Sequence, residues 1–142
     1  MARRRVPRIE FARTRSLVRN FPRSWRFYRD VLGLAPVQGH GAPPYGEFRS
    51  AGALVSLFER RRMADALALA PGRYSTRSVG QSALIFESPD VDAFARFLRS
   101  RRVHIISGPV DRPDWQLRTI HFRDPDGYLI EVYSRPRSAP GS

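Results

Sequence analysis

A helical motif occurs twice in this chain, and the repeat restricts the possible folds more than any other pattern in the sequence. Segment 20–29 (NFPRSWRFYR) aligns with segment 90–99 (DVDAFARFLR). Each copy starts with Asn20 or Asp90, residue types whose side chains cap helix N-termini. Apolar residues then recur at helical spacing. They are Phe21, Trp25, Tyr28 and Leu32 in the first copy, and Val91, Phe94 and Leu98 in the second. The sequence therefore predicts two similar halves, each with one amphipathic helix.

Extended segments around each helix complete the two halves. The predicted strands are 8–18, 45–50 and 53–59 in the first half, and 81–88, 103–107, 117–123 and 128–133 in the second. A Pro/Gly-rich loop is expected over 35–46, where it could close over a site as a lid or be surface ornament. The tetrapeptide Asp124-Pro125-Asp126-Gly127 predicts a turn, because Pro fixes one φ angle and Gly permits a positive one. The resulting pattern is β-α-β-β-β, twice.

The predicted fold class is α+β, with two tandem βαβββ modules forming a curved mixed sheet. This half-barrel cup carries its helices on the convex face, and alternate strand residues line the cup. The expected divisions are a basic N-terminal arm (1–7), the first module (8–60), a linker with a short helix (61–80), the second module (81–134) and a disordered tail (135–142).

Composition excludes several classes of protein. The 142 residues contain no cysteine, which removes disulfides, thiolate metal sites and a cysteine nucleophile, and makes a cytoplasmic location the default. No apolar run approaches the ~20 residues of a membrane span, and no apolar segment of a signal peptide follows the basic start. The net charge of +12 comes from arginine alone. An anionic ligand fits this charge, whereas the scattering of the arginines argues against a nucleic-acid groove.

Two signatures resemble those of the vicinal oxygen chelate superfamily, which includes glyoxalases, bleomycin-resistance proteins and extradiol dioxygenases. The first is 27–34 (FYRDVLGL), and the second is the closing hairpin 122–132 (FRDPDGYLIEV). Segment 114–116 (DWQ) resembles the Pro-Trp-Gly segment before that hairpin. Segment 57–67 resembles the linker of the metal-free antibiotic-resistance branch. The similarity covers residues 8–134 and implies paired modules, usually in a homodimer.

The resemblance also implies where a metal would bind. Metal-dependent members carry ligands on the first and last strand of each module, and these four positions are Arg13, Ser56, Ala83 and Glu131 here. Only Glu131 is a plausible ligand, since arginine stays protonated and alanine has no donor atom. One carboxylate would hold a divalent ion weakly. We therefore predict no metal and no cofactor.

Other candidate residues are expected to line the cup. Thr119 and His121 share the face of Glu131 if the last two strands pair, and Tyr133 and Leu129 continue it. A His–Glu pair could exchange protons with a ligand, or it could be purely structural. Arg13 and Arg15 could bind an anion, or they could reach the rim and meet water, or form internal salt bridges with Glu131 and Glu87. The predicted aromatic lining is Phe48, Phe58, Trp115 and Tyr133. His40 and His104 receive no role.

These residues favour a small-molecule binding protein, of the kind that sequesters an antibiotic or natural product. The basic charge favours a neutral or anionic aromatic ligand over a cationic one. The alternative is a cofactor-free isomerase, cyclase or lyase that uses His121 and Glu131 as its acid–base pair. A metal-dependent enzyme of glyoxalase or dioxygenase type is the least favoured, and nucleic-acid binding has only the net charge behind it.

Overall fold

The first module consists of one mixed sheet and its helices. The structure, a computed structural model, describes residue 8 and residues 12–66 and 82–136. The arm 1–7, most of the linker and the tail from 137 onward lie outside the described residues. The elements of this module are β1 (Thr14–Val18), α1 (Phe21–Arg26) continued by a π-helical turn (Phe27–Val31), β2 (Ala35–Gln38), β3 (Tyr45–Ser50), β4 (Ala53–Glu59) and α2 (Arg60–Ala66). The strand order is β1-β4-β3-β2, with β1 parallel to β4.

The second module repeats this arrangement. Its elements are β5 (Ala83–Glu87), α3 (Val91–Ser100), β6 (Ile105–Arg112), a 3₁₀ turn (Pro113–Trp115), β7 (Leu117–Arg123) and β8 (Leu129–Ser134). The strand order β5-β8-β7-β6 matches that of the first sheet. The predicted α+β fold of two βαβββ modules is therefore confirmed, as two four-stranded mixed sheets that are not closed into a barrel.

Two strands differ from the predicted segments. β2 lies within the predicted loop 35–46, at the sheet edge, where Pro36 is tolerated because it need not donate a ladder hydrogen bond. β6 runs past the predicted end at 107, because a register shift between Ser107 and Val110 carries the strand through Gly108-Pro109. Pro36 in β2 and Gly108-Pro109 in β6 had favoured loops in both segments.

The helices form where the capping residues predicted them. The Asn20 side chain accepts a hydrogen bond from the Arg23 amide at 3.1 Å, and Asp90 accepts one from the Ala93 amide at 3.0 Å. Each helix packs on its own sheet and buries an apolar cluster. The first cluster is Val18, Phe21, Trp25, Tyr28, Leu34, Phe48, Val55 and Leu57, and the second is Val91, Ala95, Leu98, Ile120, Phe122, Ile130 and Val132.

The predicted Asp-Pro-Asp-Gly turn of the second module accepts hydrogen bonds from residues of the first module. The Tyr28 hydroxyl donates to Asp124 Oδ2 at 2.8 Å, and the Ser24 hydroxyl donates to Asp126 Oδ2 at 3.0 Å. The Arg19 amide also donates to Asp126, at 2.9 Å. Burial raises the pKa of Asp124 and, together with that carboxylate, the pKa of Tyr28. Within the described part of the chain, no helix is long and apolar enough to cross a membrane.

Candidate functional site

Each sheet has one face that its helix does not cover, and we call this the open face. In β8, Ile130, Val132 and Ser134 are buried beneath α3, whereas Glu131 and Tyr133 are half-buried on the open face. This alternation follows from the two-residue period of a strand. The open face of the second sheet is where several of the candidate residues lie.

His121 and Glu131 form a direct pair there. They are register partners on β7 and β8, and His121 Nε2 lies 2.9 Å from Glu131 Oε2. Both side chains retain 15% exposure, so a ligand can reach them. A carboxylate that orients an imidazole is an arrangement suited to proton transfer. The same pair also gives each group one hydrogen-bond partner without a ligand.

Arg112 lies on the same open face, although the sequence pattern did not point to it. Its Nε donates to Thr119 Oγ1 at 3.4 Å and its Nη2 donates to Ser107 Oγ at 3.1 Å. Its guanidinium also lies 5.3 Å from the centre of the Trp115 ring. Thr119 is fully buried and supports Arg112 from below. Since β6 was expected to end at 107, no strand alternation pointed to Arg112.

A wide depression of about 940 Å³ lies over this face. Its lining includes three predicted residues, Trp115, Glu131 and Tyr133, together with Ile85 and Leu117. Trp115 is 54% exposed and Ile85 is 60% exposed, which is unusual for side chains of this size and polarity. The depression therefore combines an accessible aromatic wall with the Glu131 carboxylate, which His121 holds.

The open face of the first sheet carries the two predicted arginines, each already engaged. Arg13 Nε lies 3.2 Å from Glu47 Oε1, and Arg13 Nη1 donates to the Tyr45 hydroxyl at 3.2 Å. Arg15 Nε donates to Ser56 Oγ at 3.3 Å, and its guanidinium lies 5.8 Å from the Phe58 ring centre. Glu47 is only 6% exposed and was not predicted.

The predicted salt-bridge partners of Arg13 are wrong. Glu131 is held by His121, and Glu87 pairs with Arg135 at 3.0 Å. Glu47 is within reach of Arg13 because it sits on the same sheet, on the strand beyond β4. The alternative of an internal salt bridge thus holds for Arg13, but with a different carboxylate.

The prediction that Phe48 lines the cup is also wrong. Phe48 is completely buried beneath α1, with its ring centre 4.4 Å from that of Trp25. Its place in the strand directs it to the helix side, and its neighbours Glu47 and Arg49 to the other. Ala83 does lie on the open face of β5, where it offers only a methyl group.

The donor set at the four expected metal positions does not fit a divalent ion. Arg13 and Ser56 are engaged with other side chains, and Ala83 has no donor. Glu131 and its neighbour His121 supply two donor groups, one fewer than a catalytic zinc ion takes from protein. Among residues 12–66 and 82–136, no three His, Cys, Asp or Glu side chains converge as a metal site would require.

Comparison with known proteins places this geometry in context. The model of the Glyoxalase/Bleomycin resistance protein/Dioxygenase superfamily matches residues 10–132. YraH of Bacillus subtilis, an uncharacterized protein, is 31% identical over 125 residues, which cover 88% of this chain and 98% of YraH. A protein of unknown function from Agrobacterium tumefaciens has a similar structure, with a TM-score of 0.71, 29% identity and coverage of 92% and 98% of the two chains. A lactoylglutathione lyase from the same species, at 23% identity, shares the fold with a TM-score of 0.69 over 90% of this chain and 95% of the lyase.

Proposed function

The chain belongs to the glyoxalase/bleomycin resistance protein/dioxygenase superfamily, and we propose that it is a metal-independent small-molecule binding protein. Its ligand would be a neutral or anionic aromatic compound, held on the open face of the second sheet. The observation that carries this proposal is the exposed Trp115 ring beside the anchored guanidinium of Arg112.

The lining of the depression supports an aromatic ligand. Trp115 and Tyr133 present ring surfaces, and Ile85 and Leu117 add aliphatic area between them. Small-molecule sites are mostly apolar with a few placed polar groups, and a volume of about 940 Å³ is at the upper end of their usual range. A flat ring system would remove both the Trp115 face and the Ile85 side chain from water.

The charges favour an anionic group on that ligand. Arg112 Nη1 has no hydrogen-bond partner among the described residues, so it can donate to a carboxylate or sulfonate. Arg112 lies beside the depression, against Trp115, and Arg135 lines it. Among the residues that line the depression, Glu131 is the one carboxylate, and His121 already binds it. The net charge of +12 further attracts anions and repels cationic drugs.

Such a protein would protect a cell by sequestering an antibiotic or a natural product stoichiometrically, which requires no metal and no reaction. We place this activity in the cytoplasm, since the chain has no cysteine to stabilise it in an oxidising compartment.

The proposal is tested with two probes that share a ring system and differ in charge. Isothermal titration calorimetry would compare 2-naphthoate with 2-naphthylmethylammonium. We expect the anion to bind at least about tenfold more tightly, a difference of ~1.4 kcal/mol. Arg112→Gln should remove this preference, and Arg61→Gln, on the exposed side of α2, should retain it. Equal affinity for both probes, or tighter binding of the cation, would contradict the proposal.

The His121–Glu131 pair favours a second candidate, a cofactor-free isomerase, cyclase or lyase. At 2.9 Å from Glu131, the His121 imidazole can take a proton from a bound substrate and return it at another atom. His121→Ala separates the candidates. A pure binding protein keeps its affinity for 2-naphthoate within about tenfold. An enzyme loses turnover of its substrate while binding persists.

We also propose a homodimer, as the resemblance to this superfamily implies. Val37 and Ile106, outside the depression, are each 46% exposed in the single chain, and a second copy would cover part of this area. Light scattering coupled to size exclusion should give twice the 16.3 kDa mass of the chain. A monomeric mass at micromolar concentration would contradict this.

A further inference from the structure

We infer that a surface pocket beside the π-helical turn is a second binding site, for a small polyanion with an apolar body such as a nucleoside diphosphate. The pocket has a volume of about 560 Å³. It lies between α1, the end of α3 and the start of the Asp-Pro-Asp-Gly turn. It shares no lining residue with the depression around Trp115 and Glu131.

Arginines dominate the rim of this pocket, which we call the arginine pocket. Its cationic residues are Arg23, Arg26, Arg101 and Arg123, with His104 beside them. The Arg23 and Arg26 side chains form no hydrogen bond or ion pair with other described residues, and both residues are exposed. Their guanidinium groups are thus available to a ligand.

The two carboxylates at the arginine pocket do not neutralise it. Asp124 is occupied from within the fold by the Tyr28 hydroxyl and by the amides of Asp126 and Tyr128, at 2.8, 2.9 and 2.9 Å. Asp30 forms a two-point pair with Arg29, at 2.7 and 3.1 Å. This pairing lowers the pKa of Asp30, and Arg101 and Arg26 lower it further, so these guanidiniums already act on a negative charge here.

The number of guanidiniums indicates what kind of anion fits. A single carboxylate would leave most of the positive charge at the rim uncompensated, whereas two linked phosphate groups can each accept bonds from more than one arginine. Arginine forks match the geometry of phosphate oxygens. The arginine pocket therefore favours a diphosphate over a monoanion.

The floor of the arginine pocket is apolar. Phe27, Val31 and Val103 line it, and each is half-buried and packed against the core of the second module. An inorganic anion would leave this apolar surface exposed to water, whereas the base of a nucleotide would cover part of it. A concave apolar floor also suits a small ligand better than the rod-like backbone of a nucleic acid duplex.

The test measures the affinity of the full chain for ADP and for inorganic pyrophosphate by isothermal titration calorimetry. We expect ADP to bind in the micromolar range and pyrophosphate more weakly, because it lacks a body to cover the floor. The double variant Arg26→Gln/Arg101→Gln should weaken ADP binding by at least about tenfold. Arg61→Gln/Arg62→Gln removes the same charge from exposed positions on α2 and should change ADP affinity by less than about twofold.

Several outcomes would overturn the inference. Equal weakening in both double variants would assign ADP binding to overall charge. Pyrophosphate binding as tightly as ADP would remove the role of the apolar floor. Tighter binding of a short DNA duplex than of ADP would assign the surface to nucleic acid. Because none of the substituted arginines lines the Trp115 depression, 2-naphthoate affinity should stay unchanged in all of these variants, whatever the outcome for ADP.

Discussion

The Tyr28 hydroxyl donates a 2.8 Å hydrogen bond to Asp124, across 96 positions of sequence. Tyr28 follows α1 in the first module, and Asp124 opens the turn before the last strand of the second. Both residues are buried, and Tyr28 is completely inaccessible. The bond therefore holds the site-bearing sheet of the second module against the helix of the first.

Tyr28→Phe should destabilise the protein by about 1–3 kcal/mol, because it removes one partner of a buried carboxylate without changing shape. Urea unfolding monitored by circular dichroism measures this loss. Tyr133→Phe is the matched control, since the Tyr133 hydroxyl donates to the exposed Glu87, and its effect should stay below about 0.5 kcal/mol. If both variants lost the same free energy of unfolding, the buried Tyr28–Asp124 hydrogen bond would contribute no more stability than the exposed Tyr133–Glu87 bond.

The stability of the protein should fall at alkaline pH, partly through Tyr28. Burial and the nearby Asp124 carboxylate raise the pKa of Tyr28 well above its ordinary value of about 10. The unfolded chain therefore loses this proton first, so the contribution is complete below pH ~10 and is lost as pH rises toward the folded-state pKa. The loss approaches ~1.4 kcal/mol per pH unit in that window.

Urea titrations of the wild type and Tyr28→Phe between about pH 9 and pH 11 test this pH dependence, since that range spans the ordinary tyrosine pKa. The variant should show a shallower decline, because contributions from the other tyrosines cancel in the comparison. Parallel curves would mean that Tyr28 ionises as readily in the fold as in the unfolded chain.

Gly46→Ala should destabilise the first module by about 1–3 kcal/mol through overpacking. A Cβ atom at Gly46 would lie 2.8 Å from Trp25 Cε3 and 3.2 Å from Phe21 Cζ, and both rings are buried. Gly52→Ala is the control, since a Cβ atom there meets nothing within 4 Å and should change stability by no more than about 0.5 kcal/mol. Thermal or urea unfolding measures the stability of both variants. Equal stability of Gly46→Ala and Gly52→Ala would contradict this prediction.

Metal removal should leave ligand binding intact. The positions Arg13, Ser56, Ala83 and Glu131 offer a single charged ligand, so dialysis against EDTA is expected to change the affinity for 2-naphthoate by less than about twofold. Elemental analysis of the purified protein checks the same point. One tightly held divalent ion per chain would refute these assignments.

Local signals made most of the fold predictable from sequence. The strands 53–59 and 117–123 have the predicted bounds, because glycine turns and alternating side chains mark both. Asn20 and Asp90 cap the helices through contacts three residues away. Each of these features depends on a few neighbouring residues, which is the range over which a single sequence is informative.

The remaining site residues depend on packing between distant elements. In β3, Phe48 faces the helix rather than the cup, because Gly46 leaves room for Trp25 and so fixes which side chains of the strand face the helix. Arg112 joins the site only because β6 continues through the irregularity near Gly108. Neither effect is visible in the spacing of residue types along the chain.

The most direct measurement is a crystal structure of EDTA-treated protein with 2-naphthoate. We expect the naphthalene ring to lie against Trp115 on the open face of the second sheet, with its carboxylate at the Arg112 guanidinium. A divalent ion gripped between the modules, or a naphthoate bound away from Trp115 and Arg112, would contradict it.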